Sequence, residues 1–157
     1  MLEIRSTIPG DYSAIMETAR QVGVFTAEEV RTVAEVLDLY LENAEQDEFL
    51  FISAEADGRV VGFACYGRVA LTQKNYELNW IATAPDAARR GVAGALLHAV
   101  EEIARAHGAR FLNLETSATS PYAPARAFYD RHGYAVVARL PDYYADGDDM
   151  LIYRKAL

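Results

Sequence analysis

Two apolar, strand-like stretches, YELNWIAT ending at Thr83 and RFLNLETS ending at Ser117, are joined by PDAARRGVAGALLHAVEEIARAHG, Pro85 to Gly108. Within the connection Val92, Leu96, Ala99, Val100 and Ile103 recur at helical spacing, and Gly108 stands just past the end. A strand followed by a long helix and another strand returns by crossing over, so the two strands are expected to run parallel. The mouth of that helix then carries two adjacent arginines, Arg89 and Arg90, with Gly91 and Gly94 close by. A helix N-terminus leaves about four backbone N–H groups unpaired and bears a partial positive charge. Glycine lets another molecule approach that backbone closely. The segment therefore reads as an anion site suited to a polyphosphate, although two arginines also suit an ordinary solvated turn. It has neither the GxxxxGK[ST] nor the GxGxxG spacing.

The rest of the chain completes a mixed pattern. LEIR reads as a short strand, and Pro9 opens a helix with Ile15, Met16 and Ala19 on one face. Thr26 and Glu29 form a capping box before a stripe of Val30, Val33, Ala34, Leu37 and Leu41. Phe49 to Ala56 and Val60 to Leu71 read as a hairpin turning at Asp57-Gly58. SPYAPARAFYDRHG is a short helix ending at Gly133. YAVVARL and MLIYRKAL are closing strands around a polar loop, Pro141 to Asp149. The order β-α-α-β-β-β-α-β-α-β-β predicts an α/β (α+β) domain over residues 1–157. Its sheet has about seven strands, mostly antiparallel, with about four helices. No repeat or linker divides it.

Composition removes several classes. Apolar residues make up 52 % of the 157, enough for a core. A net charge of −8 argues against nucleic acid as a partner. No run of about 18 apolar residues marks a membrane span. The start, MLEIRSTIPG, lacks a basic region followed by an apolar stretch. Cys65 is the only cysteine, which suits a reducing cytoplasm and a buried strand position.

Three segments in series carry a resemblance. ARRGVA, Ala88 to Ala93, resembles the Gln/Arg-x-x-Gly-x-Gly/Ala signature of the GNAT superfamily of acetyl-CoA-dependent N-acetyltransferases. ELNWIATAP resembles that family's fourth strand. APARAFYDRHGY, with Ala125, Phe128, Tyr129, Gly133 and Tyr134, resembles its later helix-to-strand segment. The resemblance implies a GNAT-like fold in which parallel strands 4 and 5 splay. It implies that the coenzyme A diphosphate rests on backbone amides of Arg89, Arg90, Gly91, Val92, Ala93 and Gly94. The pantetheine arm would pair with Ile81, Ala82 and Thr83, as a peptide adds to an exposed sheet edge. There are departures: Ala88 replaces the usual Gln or Arg, and Tyr122 stands where many members carry a cofactor-touching Asn.

The chemistry so implied is transfer of acetyl from acetyl-CoA to a primary amine, by direct attack in a ternary complex and without a metal. An alkyl amine has a pKa of roughly 10.4, so about one in a thousand is neutral near pH 7. Glu77 is the candidate base, with Glu115 or a water as alternatives. Strand alternation places Glu77, Asn79, Ile81 and Thr83 on one face. Tyr129 is the candidate acid for the leaving thiolate, uphill by about 1.5 pKa units. The amide of Ile81 or of Thr83 would hold the thioester oxygen. Tyr143, Tyr144 and the aspartates of PDYYADGDD suit a cationic acceptor or a plain solvated loop. The alternative to an enzyme is a non-catalytic coenzyme A/acyl-CoA-binding module, or failing that a partner-binding domain. Ile152 and Tyr153 make the last strand a candidate for pairing across a homodimer.

Overall fold

The computed structural model describes residues 1–43 and 45–157. Among these, seven strands form one sheet: β1 (Leu2–Ser6), β2 (Leu50–Ala56), β3 (Arg59–Arg68), β4 (Asn75–Thr83), β5 (Phe111–Ser117), β6 (Ala135–Ala145) and β7 (Asp148–Ala156). Their order across the sheet is β1-β2-β3-β4-β5-β7-β6. Four α-helices flank it: α1 (Tyr12–Gln21), α2 (Ala27–Glu42), α3 (Val92–Ala106) and α4 (Ala123–Arg131). Every strand pairing is antiparallel except β4 with β5, the pair that α3 connects. No described helix is long and apolar enough to cross a membrane.

Local chemistry fixes the elements. Asp57 and Gly58 both take positive φ, 51° and 76°, as a two-residue hairpin turn of primed type requires. Thr26 Oγ1 accepts from the Glu29 amide at 3.1 Å, and the Thr26 amide donates back to the Glu29 carboxylate at 3.0 Å. Such a cap is worth about 1 kcal/mol to α2. On one side of the sheet, Val92, Leu96, Leu97, Val100 and Ala104 of α3 bury against Leu78, Leu112 and Leu114. On the other, Ile15, Met16 and Ala19 of α1 and Val33 and Leu37 of α2 cover Phe51, Phe63 and Cys65. These two helices reach only the β1–β4 half of their face. Among the described residues, no helix covers the β5–β7 half of that face, and a cleft forms there.

Two expectations are corrected. The stretch expected to be a loop, Pro141 to Asp149, is mostly strand: β6 runs to Ala145, β7 starts at Asp148, and the turn is Asp146-Gly147. Asp149 accepts from the Asp142 amide at 2.8 Å, and Asp142 accepts from the Gly147 amide at 2.7 Å. The acidic side chains thus satisfy a bulged hairpin at an exposed edge, where polar composition does not mean loop. Second, β7 lies between β5 and β6, so Ile152 and Tyr153 have no free edge to pair across a dimer. The free edge on that side is β6.

Candidate active site

Strands β4 and β5 pair in parallel only from Asn75–Phe111 to Leu78–Leu114. Beyond that both continue but part. A β-bulge causes the parting. Tyr66 of β3 faces Leu78 and Cys65 faces Trp80, which leaves Asn79 as an extra residue. A bulge bends the strand and raises its twist, here away from β5. The β5-side edge of β4 from Asn79 to Thr83 is left without a strand partner.

The bulge also overturns the expected alternation. Glu77 and Asn79 belong with Trp80 and Ala82 on the α1/α2 side, where Asn79 Nδ2 reaches Cys65 Sγ at 3.8 Å. Ile81 packs instead against the α3 side with Leu78. One inserted residue exchanges the faces of everything after it.

A cavity of about 1500 Å³ occupies the gap. One end is the mouth of α3. Gly91 takes φ 78° at the N-cap position, and no side chain caps the helix. The first intrahelical bond is Ala95 N–H to Gly91 O, 3.0 Å, so the amides of Val92, Ala93 and Gly94 precede the ladder. A methyl group at Gly91 would meet nothing within 4 Å, so the backbone is open to a visitor. Arg89 is itself left-handed, φ 62°, a strained conformation for a side-chain-bearing residue and of a kind that clusters at binding sites. The two arginines diverge. Arg89 lines the large cavity. Arg90 lines a separate small pocket with Met1, Leu2 and Arg59. Thr83 Oγ1, at the end of the unpaired edge, is buried with no hydrogen-bond partner among the described residues. An uncapped N-terminus, open backbone and unpaired edge together fit a diphosphate with an amide-bearing arm.

Tyr129 stands on α4 across the gap. Its ring packs edge-on against Phe128 at 5.4 Å and Tyr134 at 6.0 Å. Its hydroxyl makes no hydrogen bond among the described residues and is not fully enclosed, and the side chain lines the cavity. Burial pushes this phenol well above its usual value, so it is protonated at any working pH. Arg126 fastens α4 by donating from Nη1 to Ser117 O at 2.8 Å and Thr119 O at 2.7 Å. Tyr129 is therefore a core ring with a hydroxyl in the cleft.

Glu77 lies on β4 beside Gly67 and Asn113, one pair before the strands part. Burial, then the charges of Glu115 and Glu48, raise its carboxyl above the ordinary range. Glu115, exposed on β5, is the first residue past the last β4–β5 pair and lines the same cavity. Both candidate bases thus flank the split. Tyr122 lines the cavity too, but its hydroxyl is engaged, donating to Val24 O at 3.0 Å. It ties the connection between α1 and α2 to the start of α4.

Sequence reasoning missed Arg131, His132, Asn113 and Arg154, all of which line the cavity. His132 Nδ1–H donates to Phe128 O at 2.8 Å, which leaves Nε2 facing the α3 mouth. A Cβ on Gly94 would sit 3.3 Å from that nitrogen. Arg131 and His132 adjoin the recognised Phe128–Tyr134 segment, which was the available signal. Asn113 and Arg154 reach the cleft through strand register, which leaves no mark in the sequence.

A mixed sheet whose parallel strands part over an uncapped helix mouth is the architecture of an acyl-coenzyme A-using acetyltransferase. The chain belongs to the acetyltransferase (GNAT) family, whose profile matches residues 14–134. A GNAT-family structure from Desulfovibrio desulfuricans is 36 % identical, with a TM-score of 0.92 and coverage of 99 % of each chain. The N-acetyltransferase YsnE of Bacillus subtilis (strain 168), itself uncharacterized, is 28 % identical over 117 residues, 74 % of this chain and 76 % of that protein. The PaiA N-acetyltransferase of Thermoplasma acidophilum, solved with coenzyme A, shares the fold at 21 % identity and TM-score 0.76. It covers 100 % of this chain and 99 % of that one.

Proposed function

We propose that residues 1–157 act as one unit that moves an acetyl group from acetyl-CoA to a primary amine, both substrates being bound together. The observation that carries this is the parting of β4 from β5 beside an uncapped α3 N-terminus. The amides of Gly91 to Gly94 and the side chain of Arg89 hold the diphosphate; Arg90 contributes its backbone. The Ile81, Ala82 and Thr83 backbone aligns the pantetheine arm. The relative solved with coenzyme A supports that reading.

In the transfer the amine nitrogen attacks the thioester carbonyl. A C–N bond forms and the C–S bond breaks. Glu77, directly or through a water, takes the amine proton; its raised pKa makes it a better base than an exposed carboxylate. A β4 amide, of Ile81 or Thr83, stabilises the carbonyl oxygen as charge develops. Tyr129 supplies a proton to the departing thiolate. Its raised pKa does not by itself forbid this, because the dry setting that raises a phenol raises a thiol too, as burial does for Cys65. Tyr122 lines the cleft as a cofactor-side residue, through its ring, while its hydroxyl holds the α1–α2 connection in place.

Thiol release from acetyl-CoA across a panel of primary amines tests the reading. Amine-dependent release supports it. Tight acetyl-CoA binding with no release under any amine favours a non-catalytic binding module, for which Ala88 in the signature and the occupied Tyr122 hydroxyl speak.

A further inference from the structure

The face of β5 and β7 that no described helix covers holds a cation that the transfer chemistry does not use. Glu77, Asn113 and Arg154 stand in register on β4, β5 and β7, so their side chains leave one face of the sheet. At about 4.8 Å per strand, the Glu77 and Arg154 backbones are about 10 Å apart. Arg154 is held in place by neutral partners. Its Nε donates to Asn113 Oδ1 at 2.8 Å, and its Nη2 points to Asn75 Oδ1 at 3.4 Å. The guanidinium carbon stands over the Phe111 ring, 4.1 Å from its centroid. Its Nη1 has no partner, and the group makes no ion pair, among the described residues. Glu77 does not serve as one, since nothing cationic offsets the rise in that carboxyl. A fixed and unneutralised guanidinium in a cleft is a receptor for a planar anion. The surrounding acceptor side has carboxylates at Glu29, Glu77 and Glu115, and apolar walls at Phe25, Trp80 and Ile152.

We infer that the acceptor is an amino-carboxylate with an apolar body: its amine faces Glu77 and its carboxylate is bound by Arg154. This rests on the transferase reading above and narrows its substrate class.

Matched pairs that differ only in the carboxylate decide the matter: phenylalanine against 2-phenylethylamine, leucine against 3-methylbutylamine, and tyrosine against tyramine. Thiol release gives kcat/KM for each. In the wild type each amino acid is expected to exceed its amine by tenfold or more. In Arg154→Gln that ratio should fall at least tenfold, mainly through KM. Differences in amine acidity within a pair are common to both enzymes and cancel in the comparison. Asn75→Asp is the second variant. It keeps both acceptor roles of Asn75, toward Arg154 and toward Asn113 Nδ2, while giving the guanidinium a carboxylate partner. The same loss of preference is expected, in a protein whose melting temperature is retained. A wild-type ratio that survives both substitutions, or amines that react as well as their amino acids, overturns the inference and leaves the transferase reading standing. Thiol release with no member of any pair overturns it as well, and release with none of the wider amine panel overturns the transferase reading too.

Discussion

Tyr129 combines two demands that usually conflict: a ring in the core and a hydroxyl left unpaired in a cleft. Phenylalanine meets the first and lacks the second. Tyr129→Phe is therefore expected to lower kcat by about a hundredfold, the lower range for loss of a positioned acid, with acetyl-CoA affinity unchanged within about twofold. Single-turnover thiol release and calorimetry measure the two separately; an unaltered kcat removes the phenol from the chemistry. At Glu77 the sign of the pH effect is set by burial and the like charges of Glu115 and Glu48. A carboxyl raised on folding is favoured in its protonated form. Its folded state loses stability as pH climbs from the ordinary carboxylate value through the raised one. Glu77→Gln should thus melt higher than wild type at neutral pH, with the advantage gone below about pH 4. The same variant should lose about a hundredfold in kcat/KM and lose the acid limb of the rate profile. A neutral-pH melting point lower than wild type contradicts this account of the site. The candidate residues Tyr129, Glu77 and Gly91 were legible because each sits in a motif with fixed local spacing. Arg154 was not, because only the β5–β7 register brings it to the cleft.

At the scale of elements, the site depends on where β4 bends and where α3 begins. Gly62 of β3 joins the two. A Cβ there would stand 2.9 Å from Ala82 O, 3.0 Å from Val92 Cγ1 and 3.2 Å from Leu96 Cδ1. Gly62→Ala must push β4 or the first turn of α3. It is expected to cost about 1–3 kcal/mol, or a few degrees in melting temperature, and to weaken acetyl-CoA binding, since the mouth of the helix shifts. Thermal melts with calorimetry check this; a variant that melts and binds as wild type places the helix mouth on some other support. The crossover, the capped α2 and the Asp57-Gly58 hairpin were readable because periodicity, capping and turn chemistry are local. The bulge at Asn79 was not. It shows in no residue type, yet it sends Ile81 to the α3 side and Trp80 and Ala82 to the α1/α2 side. The β6–β7 hairpin misread for a related reason: its aspartates bond within an edge strand, where side chains on both faces meet solvent.

Taken as a whole molecule, the chain is two cores on either side of one sheet, with the cleft where the α1/α2 layer stops short. An acidic protein of net charge −8 admits an anionic substrate only through a local concentration of donors. Arg89, the open amides of Gly91 to Gly94 and His132 meet at one end of the cleft, and Arg131 lines the cleft as well. Binding there is a property of the whole arrangement, since β4, α3 and α4 each supply part of the wall. The direct test is calorimetric titration of the full chain with acetyl-CoA and, separately, with S-acetylpantetheine, which carries the same thioester arm without the diphosphate. Saturable binding of acetyl-CoA, weakened at least tenfold in the truncated compound, is the predicted result. Equal affinity for the two, or no heat from acetyl-CoA at millimolar concentration, contradicts a diphosphate held at the mouth of α3.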